Sequence, residues 1–158
     1  MQRNYFIHFQ SLPEIPNMIH NGPIVLIEDD KDDALTMQEA LKDLHIDNEF
    51  IYFPNTILAL KYLKETEQQP FLIICDINMP FQNGLDFKSD IDSHPELKKK
   101  CIPFIFYSTS ANENDVTKAF LQISIQGFFK KGSSYEQILS DITAIIEYWK
   151  KSKHPNCF

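Results

Sequence analysis

The chain alternates between short, unbroken apolar runs and longer stretches in which apolar residues recur every three or four positions. The unbroken runs, residues 24–28, 49–53, 71–76, 103–108 and 127–130, are rich in Ile and Phe. Such runs read as strands buried on both faces, as in parallel sheets. The stretches that follow them, 32–44, 56–65, 85–91, 113–121 and 135–151, predict helices. In the first of these, Ala34, Leu35, Gln38, Leu41 and Leu44 supply the inward stripe; in the last, Ile138, Ile142, Ile145, Ile146 and Trp149 do so. Five strand–helix units in succession predict an α/β fold, a doubly wound five-stranded parallel sheet with five helices on its two faces. Residues 92–100 are charged and read as a loop extension. Residues 1–22 carry Pro13, Pro16 and Asn21-Gly22 without a sustained period, and read as an N-terminal arm. Residues 23–152 form one domain and 153–158 a tail.

Composition narrows the function class. A formal charge of −7 argues against direct nucleic-acid or anionic-membrane binding, which needs clustered cations. Lys98-Lys99-Lys100, the basic run, reads as a solvated helix end or loop. Cys75, Cys101 and Cys157 cannot all pair and lack metal-ligand spacing, so reduced thiols in a cytoplasmic protein are expected. No apolar stretch is long enough to span a bilayer, and the N-terminal residues lack the pattern of a signal peptide.

The chemistry is concentrated where apolar runs end. Ile27 is followed by Glu28, Asp29 and Asp30, and Cys75 by Asp76. In open α/β sheets ligands collect beyond the carboxyl ends of the strands. Adjacent parallel strands would bring these carboxylates into one small volume, where they repel one another unless a cation intervenes. Oxygen-only donors favour a hard divalent ion, Mg²⁺ first. Glu28, Asp29 and Asp76 are the expected ligands, with a backbone carbonyl near Asn78 completing the shell. Asp76 can also act as a nucleophile toward phosphorus, giving an acyl phosphate. Asp30, Asp32 and Asp33 fit a simpler role as acidic groups in a first helical turn, Asp32 and Asp33 above all. An EF-hand is excluded, because the central Gly and closing Glu are missing. A phosphoryl site also needs a hydrogen-bond donor and a cation. Ser108, at the end of the fourth run, and Lys131 or its neighbour Lys130, after the fifth, supply them. A Lys in such a place is ordinarily a solvated side chain that adds little to the core.

Acid, acid, hydroxyl and ammonium at four successive strand ends resemble the receiver domain of bacterial two-component response regulators over residues 23–150. The segment Asp76-Ile77-Asn78-Met79-Pro80 with Asn83-Gly84-Leu85 carries the resemblance most specifically. It implies a flavodoxin-like sheet of strand order 2-1-3-4-5 and Asp76 as phosphoacceptor. It also implies Glu28 and Asp29 as the acidic pair, the Asn78 carbonyl as a metal ligand, Ser108 as the switch hydroxyl and Phe128 as the switch aromatic. Lys131 fills the place directly before the proline of the family, for which this chain has Gly132. Thr109 stands where the family has a small Ala or Gly. Residues 145–152 and 107–110 are similar to stand-alone, chemotaxis-regulator-like members, and among them to the subfamily that partners phytochrome-type sensor kinases.

The resemblance implies a single-domain regulator, not a turnover enzyme. It would accept a phosphoryl group on Asp76 with Mg²⁺ from a sensor histidine kinase or phosphotransfer protein, and act on a downstream protein target. A receiver-like scaffold that works without phosphorylation is the alternative. A haloacid-dehalogenase-type phosphatase is disfavoured, since that family wants an Asp where Asn78 stands. Tyr148, Trp149 and the apolar residues 5–9 are candidates for a homodimer contact, with Trp149 equally suited to closing the core.

Overall fold

The computed structural model describes residues 21–110, 112–123 and 125–153. The apolar residues 5–9 and Cys157 lie outside this set. Five strands, β1 (Ile24–Ile27), β2 (Phe50–Phe53), β3 (Leu72–Cys75), β4 (Phe104–Ser108) and β5 (Gly127–Lys130), form one parallel sheet in the order β2-β1-β3-β4-β5. Six helices connect and cover them: α1 (Lys31–Asp43), α2 (Thr56–Glu65), α3 (Gly84–Ser93), α4 (Pro95–Lys99), α5 (Glu113–Gln122) and α6 (Tyr135–Lys151). No helix among the described residues is long and apolar enough to cross a membrane.

Side-chain alternation along the strands sorts the core into two layers. Val25, Ile27, Ile73, Cys75, Phe104 and Phe106 face α2, α3, α4 and α5. Ile24, Leu26, Leu72, Ile74, Ile105 and Tyr107 face α1 and α6. Central strands β1, β3 and β4 are buried throughout, which accounts for their unbroken apolar sequences. Trp149 packs on the α6 side of the core, while its edge-on neighbour Tyr148 stays exposed.

Helix starts are set by side-chain caps. Asp30, Asn55, Asn83, Asn112 and Ser134 each accept a hydrogen bond from a backbone N–H in the first turn of the helix that follows. Three expectations are corrected. The stripe of α1 runs through Ala34, Met37, Ala40 and Leu41, leaving Leu35 exposed. Strand ends fall one residue short of the acids at Glu28 and Asp76, because those side chains turn into the loops above the sheet. The charged segment 92–100 is not a loop: it completes α3 and forms α4. Pro95 explains the break between them. It forces His94 out of the helical region, to φ −94° and ψ 109°, yet suits the first position of a new helix.

Gly84 fits where a side chain cannot. A Cβ there would stand 2.3 Å from the Asp76 carbonyl oxygen and 3.0 Å from the Phe106 ring. The Gly84 N–H also closes the loop on the Ile77 carbonyl at 2.9 Å. Gly84→Ala should therefore cost about 1–3 kcal/mol through overpacking, read as a lower urea midpoint at unchanged slope. A midpoint equal to that of the parent would show that the loop relaxes freely.

Candidate functional site

Strand register builds the site. Ile27 pairs with Cys75, so Glu28 and Asp76 leave adjacent strands at the same level. The Asp76 N–H still donates to the Ile27 carbonyl at 3.0 Å, which fixes the start of the β3–α3 loop. Asp76 is then oriented by its own loop: Oδ1 accepts from the backbone N–H of Ile77 at 2.6 Å and of Asn78 at 3.3 Å. Glu28, Asp29 and Asp76 each place a carboxylate oxygen within 4.8 Å of the others. Glu28 and Asp76 are buried, and Asp29 is exposed above them.

Lys131 stands at the centre of this charge. Its ammonium donates to Glu28 Oε2 at 2.5 Å, Asp33 Oδ2 at 2.8 Å and Asp76 Oδ2 at 3.4 Å. The side chain is only 10% exposed, so the expectation of a solvated strand-end lysine is corrected. Burial works to lower its pKa, but the hydrogen bonds to Asp33 and Glu28 outweigh that and hold it above its ordinary value. Lys130, the alternative, is the last residue of β5, pairs in register with Ser108 and is exposed.

Glu28 registers the imbalance in the opposite sense. Burial, with a smaller contribution from the Asp76 charge, raises its pKa to about 7 although Lys131 pulls it down. Glu28, Asp33 and Asp76 share a single ammonium, and Asp29 adds a further carboxylate beside Glu28 and Asp76, so one lysine does not balance the acids. An oxygen-only donor set with surplus charge suits a hard divalent cation.

Ser108 ends β4 fully buried, and its Oγ accepts a hydrogen bond from the Asn78 amide at 3.4 Å. The same amide donates to Ser110 Oγ, so the Asn78 side chain ties the β3–α3 loop to the end of β4. Phe128, half-buried in β5, packs against Phe106 with ring centroids 5.9 Å apart. It lies beneath the site, not in it. Cys75 is a free thiol sealed in the core, where burial pushes its pKa well up and makes it unreactive.

Two roles went unread in the sequence. Asp33, assigned to the helix dipole, is a partner of Lys131. Its place in the first turn of α1, beside the Asp30 cap, gave no signal of that partner. Asp30 is the cap of α1, accepting from the Asp32 N–H at 2.8 Å and the Asp33 N–H at 3.3 Å.

These assignments separate by experiment. Millimolar Mg²⁺ should raise the thermal midpoint by mass action, and Asp29→Ala should remove the rise. Asp30→Ala should cost about 1 kcal/mol, as a lost cap does, while keeping the Mg²⁺ response. Equal Mg²⁺ responses in the parent and Asp29→Ala would reject the proposed ligand set. For the ammonium, Lys131→Ala leaves Glu28 buried without its counter-charge, a loss of roughly 3–5 kcal/mol that protonation of the carboxyl partly relieves. Lys130→Ala should stay within about 0.5 kcal/mol of the parent. Urea unfolding of both decides, and indistinguishable midpoints would deny the ion pair a structural role.

Comparison with known proteins bears on the same geometry. Residues 24–143 match the family model of the response regulator receiver domain. The chain is 30% identical over 131 residues to response regulator Rcp1 of Synechocystis sp., covering 80% of this chain and 87% of that protein. The phosphorylated cyanobacterial phytochrome response regulator RcpA superposes with a TM-score of 0.77 at 28% identity, over 85% of this chain and 99% of that one. The Mn²⁺-bound form of Rcp1 gives a TM-score of 0.72 at 28% identity, over the same shares. With its five-stranded sheet and its acidic strand ends, the chain belongs to the receiver-domain family of two-component response regulators.

Proposed function

We propose that the chain is a cytoplasmic response-regulator receiver that accepts a phosphoryl group on Asp76 from a sensor histidine kinase or phosphotransfer protein. The observation that carries this is the setting of Asp76: buried at a strand end, pinned through Oδ1 by two backbone N–H groups, with Oδ2 turned toward the Lys131 ammonium. A carboxylate so held is presented as a nucleophile. In the transfer, a carboxylate oxygen of Asp76 bonds to phosphorus as the phosphorus–nitrogen bond of a phosphohistidine breaks. The departing electron pair returns to the imidazole.

The residues that would hold a divalent cation are Glu28, Asp29 and Asp76, with the Asn78 carbonyl completing the set; Mg²⁺ is the proposed ion. Bound there, the ion neutralises charge on the phosphoryl oxygens. The chain's own groups do the rest. Lys131 supplies a fixed positive charge beside the acceptor, and Ser108 a hydroxyl donor at the end of the neighbouring strand. After transfer, Lys131 faces a new anion, and Ser108 and Phe128 shift toward it. That shift alters the face made by α5, β5 and α6. Phe120, Leu121 and Tyr148 are exposed on these helices and are offered to a downstream protein or to a second copy of the chain. Slow hydrolysis resets the state, so the chain turns over no substrate of its own.

Incubation with acetyl phosphate and Mg²⁺ should add one phosphoryl group by intact mass, and Asp76→Asn should abolish the adduct. Light scattering on the two samples should show the homodimer strengthened in the phosphorylated one. No adduct on the parent chain, with partner binding intact, would favour the scaffold that works without phosphorylation.

A further inference from the structure

At the edge of the sheet opposite the acidic cluster lies a cavity of about 430 Å³, within the range of roughly 300–1,000 Å³ usual for small-molecule sites. It opens at the start of β3 and β4, where Ile73 and Phe104 form its floor. Leu97 of α4 walls one side, and Trp149, near the end of α6, closes the other. None of its lining residues belongs to the phosphoryl site. Part of the wall is the segment 92–100, which the receiver chemistry does not use.

The lining has a definite chemistry. Its body is aliphatic and aromatic, but its ionised groups are three ammoniums, Lys88, Lys98 and Lys153, against one carboxylate, Asp92. This inverts the sign of a chain whose formal charge is −7. Lys88 is the informative one. It is 5% exposed, as buried as the core, and sits 5.6 Å from the centroid of the Phe104 ring. Asp92, one helical turn away, is its hydrogen-bond acceptor. An (i, i+4) pair forms equally well on a helix surface and gains little from burial. An ammonium has three donors; among the described residues Asp92 is its carboxylate partner, and the cavity that Lys88 lines can meet the other two.

We propose that this cavity binds a small amphipathic anion, a molecule with one acidic head group on an aliphatic or aromatic body. The head pairs with Lys88 inside the cavity and with Lys98 and Lys153 at its exposed rim. The body lies against Phe104, Leu97 and Trp149. Charge complementarity selects the anion, and the apolar floor rejects bare inorganic ions, which would lose hydration without gaining contact.

Trp149 is the only tryptophan in the chain, so its emission reports occupancy directly. The full chain is titrated with octanoate, octyl phosphate and 1-octanol, which separate a carboxylate head, a phosphate head and no charge. At least one of the two anions should give a saturable change, with 1-octanol binding about tenfold more weakly. Lys88→Met keeps the buried stem and removes the ammonium; it should weaken the anion by about tenfold and leave 1-octanol unchanged. Should that variant fail to fold, Lys98→Ala combined with Lys153→Ala, both at exposed positions, should lower anion affinity several-fold. No saturable change at millimolar anion, equal binding of 1-octanol, or anion binding indifferent to the lysine variants would each overturn the proposal.

Discussion

One unbalanced electrostatic arrangement organises the upper edge of this sheet: three carboxylates drawn around a single buried ammonium, with Asp29 a fourth beside two of them. Glu28 and Asp76 arrive there because parallel pairing of β1 and β3 gives them no choice, and Lys131 because β5 ends two strands away. The pairing with Lys131 favours the charged form of Glu28 against burial, which favours the protonated one. Its pKa of about 7 shows that the compensation is incomplete. A site left short of positive charge suits a hard divalent cation.

Rigidity below the site makes that charge usable. The strands that deliver the acids are buried on both faces, so their ends cannot drift. The β3–α3 loop is held at both ends, by the Asp76 N–H on β1 and by the Gly84 N–H on the Ile77 carbonyl. The missing side chain at Gly84 lets α3 begin directly against the Asp76 carbonyl. The tightness has a local cost: Phe81, fully exposed in this loop, is driven to φ 71°, a left-handed conformation disfavoured for an aromatic residue. Strain of this kind persists where the surroundings over-determine the backbone, as the two ties of this loop do.

What the sequence disclosed follows the same physics. Strands β1, β3 and β4 were legible because burial on both faces demands unbroken apolar residues, and the acids stood out because they end those runs. The helix-facing side of α1 was harder. Leu35 is as apolar as Leu41, and only the direction in which α1 lies on the sheet places Met37 inward and leaves Leu35 in solvent. Helix α4 was missed since five residues cannot display a period; the sign of it was Pro95, which ends one helix and opens another. Lys131 was legible as the cation of the site, but its depth of burial and its pairing with Asp33 were not. A lysine after a strand is ordinarily solvated, and nothing local announces the carboxylate that joins it from α1. Strand ends announce which charges meet; how deeply each is buried, and which side chain of a neighbouring helix joins them, is set by packing that the local pattern does not encode.

The two ends of the sheet share one aromatic column. Phe87 packs on Phe104 at 6.3 Å, Phe104 on Phe106 at 5.2 Å, and Phe106 on Phe128 at 5.9 Å. Phe104 floors the lower cavity, and Phe106 lies against Gly84 beneath the acidic loop. Close-packed rings resist gradual deformation, so a change at one end is either absorbed by a neighbouring void or passed on as a discrete rotation. In this molecule the void lies at the base, under Phe104, while the upper rings are held by Gly84 and the β3–α3 loop. The cavity and the acidic site therefore touch one packed row of rings, Phe104 at the base and Phe106 beneath Gly84, and neither can be repacked without the other's support being disturbed.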